Sequence, residues 1–253
     1  MKKKLAVTRV NPESGSLDLW LLELSTGILS RLMPDTSEDA QWSPDSREVI
    51  FSSSQKGYLD LFRKAVGGSG EKLVFQSDEN KWTSQWLKDD SVLIENTPGT
   101  FYRLPLSGGQ KPTVLLQAEF ENNAPVVSSD GRWVAYQSKE SGRWEIYLAA
   151  FPSFKERRQV SDDGGCQAHL RKDGKELFYL SLDGRMMSVE LNAGASMSTS
   201  VPKALFRTPF FVDQYANPWD VAGDGKRFLI GEPLGEGGKP VIVVLNWAAG
   251  LKR

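Results

Sequence analysis

The sequence predicts an all-β fold, a six-bladed β-propeller, and three observations carry that expectation. An aspartate-centred turn between apolar segments returns five times, a continuous apolar run follows each turn, and six strand-turn-strand hairpins can be counted along the 253 residues. The fullest copy of the turn is Trp42-Ser43-Pro44-Asp45-Ser46-Arg47, and its echoes are centred on Asp89-Asp90, Asp130-Gly131, Asp173-Gly174 and Asp224-Gly225. Each Asp stands three residues after an apolar anchor, and the aspartates at 45, 89, 130, 173 and 224 are 44, 41, 43 and 51 residues apart. A period in the low forties marks propeller blades of four strands each.

The runs after the turns are Val49-Ile50-Phe51, Val92-Leu93-Ile94, Val134-Ala135-Tyr136, Leu177-Phe178-Tyr179 and Phe228-Leu229-Ile230. They are continuous rather than alternating, as suits a strand covered on both faces. Polar breaks such as Gln55-Lys56-Gly57, Lys139-Glu140-Ser141-Gly142 and Asp183-Gly184 follow and read as hairpin loops. Third strands are expected over 59–66, 100–106, 144–151, 186–191 and 240–247, and Gly67-Gly68, Gly108-Gly109 and Gly194 then turn the chain toward a short outer strand. Before the first full repeat, 5–10, 17–24 and 28–33 make a first blade lacking its inner strand, and the last blade lacks its outer strand. Closure is expected by face packing of the first and last blades, or by polypeptide continuing upstream. No window keeps helical periodicity free of Gly or Pro.

Composition narrows the function. Lys and Arg total 31 against 32 Asp and Glu, so the net charge of −1 offers no broad field to nucleic acid or an anionic membrane. A single cysteine, Cys166, excludes an internal disulfide and any multi-cysteine metal site. Lys2-Lys3-Lys4 is followed by only Leu5-Ala6-Val7 before Thr8 and Arg9, too short for a signal peptide. No apolar segment approaches the ~20 residues that cross a bilayer. The expectation is one domain over 1–253, without membrane insertion by this segment, that is either whole or the C-terminal part of a longer polypeptide.

Trp42-Ser43-Pro44-Asp45, Ser129-Asp130-Gly131 and Lys172-Asp173-Gly174 resemble the TolB-like propellers, the Pro-Asp-Gly variety of WD-type repeat, and the similarity runs over nearly the whole chain. Only the first copy carries the Pro, and Ser46 and Asp90 replace Gly in two. The Asp carboxylate is expected to accept from backbone N–H groups of the turn, with Gly adopting the required backbone more readily than Asp or Ser. The stretch from Trp219 to Val244-Leu245-Asn246-Trp247 is also similar to repeats appended to bacterial serine/threonine kinases. That resemblance implies a sensor or scaffold region fused to, or working beside, a kinase; the chain has no phosphate loop or catalytic loop of its own.

Candidate chemistry is sparse. His169 lies three residues from Cys166 on an expected innermost strand, where residues three apart point to opposite faces. The two are therefore expected not to form a nucleophile pair. Gly67-Gly68-Ser69-Gly70 has Glu71 where a nucleophile elbow needs Gly, and no hydrolase domain fits beside the blades. Gly223-Asp224-Gly225-Lys226 and Gly237-Gly238-Lys239 lack phosphate-loop spacing. Asp162-Asp163-Gly164-Gly165 does not match a calcium loop and reads as a solvated one. No cofactor and no metal are expected, and the chain reads as a non-enzyme. The alternative is a propeller enzyme of lactonase or glycan lyase type, for which His169 with Glu38 and Asp39 is thin material.

The anchors Trp42, Trp86, Val127, Leu170 and Val221 read as core between blades. Four residues earlier stand Glu38, Trp82, Asn123, Cys166 and Asn217, with Asp39, Asn122, Gln167 and Trp219 beside them. Together they predict a polar ring with two large aromatics at the mouth of the channel, a composition suited to recognition. The plainer expectation is a hydrated rim. The predicted function is capture of a protein or peptide partner there, as a bacterial sensor or scaffold module.

Overall fold

A computed structural model describes residues 4–34, 37–97, 99–107, 109, 111–193, 197–209, 212–231 and 242–244. The expected turns at Gly108, Gly194 and 235–238, and most of the expected strand over 240–247, lie outside the described residues. The described strands form six antiparallel sheets, in five of which neighbours follow chain order throughout, and there is no helix among the described residues.

The chain divides into two compact units, 1–119 and 120–253. In the first, β1 (Lys4–Val10), β2 (Leu17–Glu23) and β3 (Leu29–Met33) make a three-stranded sheet. The second sheet is β4 (Ser37–Trp42), β5 (Glu48–Lys56), β6 (Tyr58–Ala65) and β7 (Lys72–Phe75). The third is β8 (Trp82–Trp86), β9 (Ser91–Glu95), β10 (Phe101–Pro105) and β11 (Thr113–Leu116). In the second unit, β12 (Asn122–Val127), β13 (Trp133–Ser138), β14 (Glu145–Ala150) and β15 (Arg158–Gln159) form the fourth sheet. The fifth holds β16 (Cys166–Leu170), β17 (Glu176–Leu180), β18 (Arg185–Ala193), β19 (Met197–Thr199) and β20 (Lys203–Arg207). The sixth is β21 (Trp219–Val221), β22 (Phe228–Ile230) and β23 (Ile242–Val244).

The five aspartate turns share one local design. A carboxylate oxygen of Asp45, Asp89, Asp130, Asp173 and Asp224 accepts the backbone N–H two residues on, at 3.0 to 3.2 Å. Ser43 and Ser128 add hydroxyl bonds to their aspartates at 2.7 and 2.6 Å. The residue after each Asp is left-handed: Ser46 and Asp90 at φ 61° and 58°, and Gly131, Gly174 and Gly225 at 71°. Glycine adopts that backbone without a Cβ penalty, whereas Ser and Asp are strained there.

The apolar runs become the strands after the turns, and burial on both faces explains their lack of alternation. Val49, Ile50, Phe51, Val92, Leu93, Ile94, Leu177 and Phe178 are wholly buried. In the first unit, Trp86, Val92, Ile94 and Leu104 of the third sheet pack on Ile50 and Leu61 of the second. Trp42 lies against a cluster of Leu19, Met33, Val49, Phe51 and Phe62. In the second unit, Ala135, Ile146 and Leu148 meet Leu177, Tyr179 and Val189, with Leu170 packed alongside. The anchor positions thus serve contacts between neighbouring sheets within each unit.

Two departures from regular repetition matter for the site. The fifth sheet has a doubled outer strand: β20 pairs the first half of β18, Arg185 to Ser188, and β19 pairs the second, Leu191 to Ala193. This hairpin and the segment that follows it occupy the long step from Asp173 to Asp224. The innermost strands also bulge at a recurring place. Glu38 and Gln41, Asn123 and Val126, and Cys166 and His169 each span three residues against two on the partner strand. In all three the residue after the first member is left-handed: Asp39 at φ 50°, Ala124 at 53° and Gln167 at 55°. A bulge of this kind puts two residues opposite one and resets which side chains share a face.

Candidate functional site

The bulge corrects the sequence argument about Cys166 and His169. Their partners Leu180 and Phe178 are two apart on β17, so the pair lies on one face of the sheet, not on opposite faces. They still form no catalytic pair. Cys166 is fully buried among Phe178, Leu180, Met186, Trp219 and Phe228, and desolvation pushes its thiol up to about 12. A thiol held neutral in this way is an inert core group. His169 packs against Trp219 with ring centroids 4.2 Å apart and planes tilted by 53°, its Nε2 is 3.2 Å from Asn217, and its Nδ1 is 3.7 Å from an Asp220 oxygen.

Cys166 and Trp219 are therefore core residues and not rim residues, since Trp219 is only 3% exposed and packs with Phe228 and Ile230. Gln167 and Asn122 are also buried, and their polar groups hold the surrounding chain. Asn122 donates to the Phe120 carbonyl at 3.0 Å. The amide N–H of Gln167 donates to Gln137 Oε1 at 2.8 Å, and its side-chain nitrogen donates to the carbonyls of Asp213 and Ala216. Gln137 Nε2 donates to the Gln214 carbonyl at 2.8 Å. Two buried glutamines thus fasten residues 213–216 over the leading ends of the inner strands of the second unit.

That fastened segment presents Tyr215. Its side chain is 63% exposed, yet the hydroxyl donates to Glu121 at 2.5 Å and the ring meets Trp144 edge-on at 6.1 Å. Lys139 pairs with Glu121 at 2.5 Å and lies 4.9 Å above the Trp144 ring. The Lys139 hydrogen bond, then that from Tyr215, holds the Glu121 carboxyl below its ordinary range, while the Glu121 bond raises the Tyr215 phenol. Phe120, next to Glu121 in sequence, and Asn217, two residues after Tyr215, are both exposed. Sequence reading missed Gln137, Tyr215, Glu121 and Lys139. The signal available was the extra length between Asp173 and Asp224, together with a glutamine ending the apolar run of β13.

Three of the expected site residues, Glu38, Asp39 and Trp82, lie in the first unit. Asp39 is exposed, and its carbonyl accepts from the buried Thr83 hydroxyl. Trp82 is half-buried and stands opposite Glu95, whose carboxylate accepts from Ser84 at 3.3 Å. Glu38 is paired with Ser52 in β4, and its side chain lies outside the described residues. Asn123 is half-buried beside Asn122. The Asp162-Asp163 loop is occupied by protein cation, since Arg143 reaches Asp163 Oδ1 at 3.1 Å and the Asp162 carbonyl at 2.9 Å. Arg143 also pairs at 2.7 Å with Glu145, a buried carboxylate that accepts from the Gly164 amide and from Ser161. Among the described residues no group of three or more His, Cys, Asp or Glu is placed to hold a metal ion.

Up-and-down antiparallel sheets, packed on their neighbours within each unit, have an all-β propeller fold of TolB-like type. The particular likenesses are to TolB itself. A segment of 102 residues, 39% of the chain, is 26% identical to the Tol-Pal system protein TolB of Xylella fastidiosa, of which it covers 23%. The crystal structure of TolB from Acinetobacter baumannii matches 96% of the chain and 61% of its own length, with a TM-score of 0.74 and 13% identity. An oligogalacturonate lyase in complex with manganese shares the fold over 98% of the chain and 88% of its own, with a TM-score of 0.57 and 14% identity. No protein-family profile matches the chain.

Proposed function

We propose that the chain is a non-catalytic propeller module that binds a protein or peptide partner through the surface around Tyr215, Phe120 and Asn217. The observation that carries this reading is the state of Tyr215: exposed, aromatic, and already fixed by Glu121 and Trp144. An anchor that is ordered before docking loses little side-chain freedom on binding, and aromatic anchors dominate the energetics of interfaces. The likeness to a Tol-Pal system protein supports a partner that is itself a protein. In the same proposal the six sheets are the blades of a six-bladed propeller, and Asn123 gives further contact area beside Asn122.

The test is photo-crosslinking in extracts of the cells that make the protein, followed by affinity measurement with the purified adduct partner. A crosslinking residue at Phe120 should label one partner, and the same residue at Val114, exposed on the outer strand β11, should not. Equal labelling from both positions would contradict the reading. The shared fold with a lyase makes the enzyme alternative concrete, and His169 is the group it would use. Turnover of oligogalacturonate or lactone substrates that disappears in His169→Ala would establish that alternative instead.

A further inference from the structure

We propose that the cavity between the first and second sheets binds a small ligand carrying a phosphate ester beside an apolar group. The cavity, about 380 Å³, lies within the first unit and is lined by Lys4 of β1, Arg31 of β3 and Lys64 of β6, with Leu21, Leu32 and Val66 as its apolar wall. Its size falls in the usual range for small-molecule sites. Three cations from three strands converge there in a chain whose net charge is −1.

The local anions do not match them. Asp18, which is buried, takes Arg31 at 3.3 Å. Glu23 stands opposite Lys4 in register and accepts from the Thr26 hydroxyl at 3.3 Å. Among the described residues neither Lys4 nor Lys64 pairs with a carboxylate, and the ammonium of Lys64, a half-buried residue, donates to the Met33 sulfur 3.4 Å away. A thioether is a weak acceptor, so the Lys64 ammonium keeps most of its hydrogen-bonding capacity for an incoming anion. Lysines suit phosphate as point charges, and the Arg31 guanidinium adds a planar fork. The Gly67-Gly68 turn keeps one side open: at Gly67, with φ at 86°, an added Cβ would meet nothing within 4 Å. Leu21, Leu32 and Val66 would receive the hydrocarbon part of the ester.

Titration calorimetry of the full chain with phenyl phosphate, inorganic phosphate and phenol tests the assignment. Phenyl phosphate should saturate one site, inorganic phosphate should bind there more weakly, and phenol should give no saturable heat. Lys64→Gln and the more exposed Lys4→Gln should each weaken phenyl phosphate about tenfold, as expected for loss of one charge-assisted contact. Lys203→Gln, an exposed lysine on β20, should leave it unchanged. Affinity should rise with pH through the second phosphate ionisation near ~6. Absence of saturable phenyl phosphate binding, phenol binding as tightly as phenyl phosphate, or equal affinity in the Lys64, Lys4 and Lys203 variants would overturn the proposal. None of these outcomes depends on the protein-binding surface of the other unit.

Discussion

The two ends of the inner strands follow different rules. At the trailing end, five aspartate turns repeat the same carboxylate-to-amide bond and the same left-handed residue. At the leading end, equivalent positions diverge: Asp39 is exposed, Thr83 is buried against the Asp39 carbonyl, and Gln167 is buried as a fastener of residues 213 and 216. The turn is closed by bonds within six residues, so each copy forms from local sequence. The leading end is shaped by a bulge and by chain arriving from far along the sequence, so its residues are free to differ, and it is where a recognition surface can vary on a constant scaffold.

Core truncation should show the largest effect at both ends. Trp86→Ala at the trailing end and Trp219→Ala at the leading end should each lower unfolding stability by ~3–5 kcal/mol through the cavity left behind. Urea denaturation measures it, and a loss under ~1 kcal/mol for Trp219→Ala would return that residue to the surface. Next comes the fastening of the strap. Gln167→Ala should cost ~1 kcal/mol, as expected for the loss of its side-chain hydrogen bonds to the Asp213 and Ala216 carbonyls, and should raise amide exchange at residues 213–217 before the rest of the unit opens. Uniform exchange across the unit would show that the glutamine supports the fold and not the strap.

Backbone strain at the turns gives a smaller contrast. Ser46→Gly should stabilise by ~0.5 kcal/mol, because it relieves a left-handed serine at some cost in chain entropy, while Gly174→Ala should destabilise by ~1 kcal/mol. Asp90→Gly should gain less than Ser46→Gly, since Asp90 also accepts the Trp86 indole N–H at 3.1 Å. Thermal melting of the three variants orders them, and identical shifts would remove the distinction.

The pH response is the smallest effect. The Ser43 hydroxyl bond and then the Arg47 amide hold Asp45 below its ordinary value of 3.8, and the Lys226 amide does the same for Asp224. A depressed carboxylate contributes stability that is fully present above the ordinary value and is lost as pH falls through the lower folded value. Asp45→Asn should therefore narrow the stability difference between neutral and acid solution, below 3.8, and leave the alkaline side alone. An unchanged acid limb in the melting curve would show that the carboxylate bond adds nothing.

Sequence made the turns, the buried runs and the order of strands legible because each depends on residues close together. Asp45-Ser46 and Asp130-Gly131 announce themselves, and Val49-Ile50-Phe51 has no alternation because both its faces are covered. The site was legible only as a polar zone. Cys166 sits where other repeats carry Glu38, Asn123 and Asn217, yet it packs in the core with Trp219 and Phe228, a long-range contact that no local pattern announces. Tyr215 carries no motif at all; it became visible once Gln137 and Gln167 were seen to hold the backbone on either side of it.

The affinity of the crosslinked partner for two variants, Tyr215→Ala and Val114→Ala, tests the proposed surface most directly. Both side chains are more than half exposed, so neither change should disturb the fold. The account predicts that Tyr215→Ala weakens binding by about 2 kcal/mol or more, as for an interface anchor, and that Val114→Ala changes it by less than about 0.5. Equal losses, or a loss confined to Val114→Ala, would contradict a partner surface at the leading ends of the inner strands.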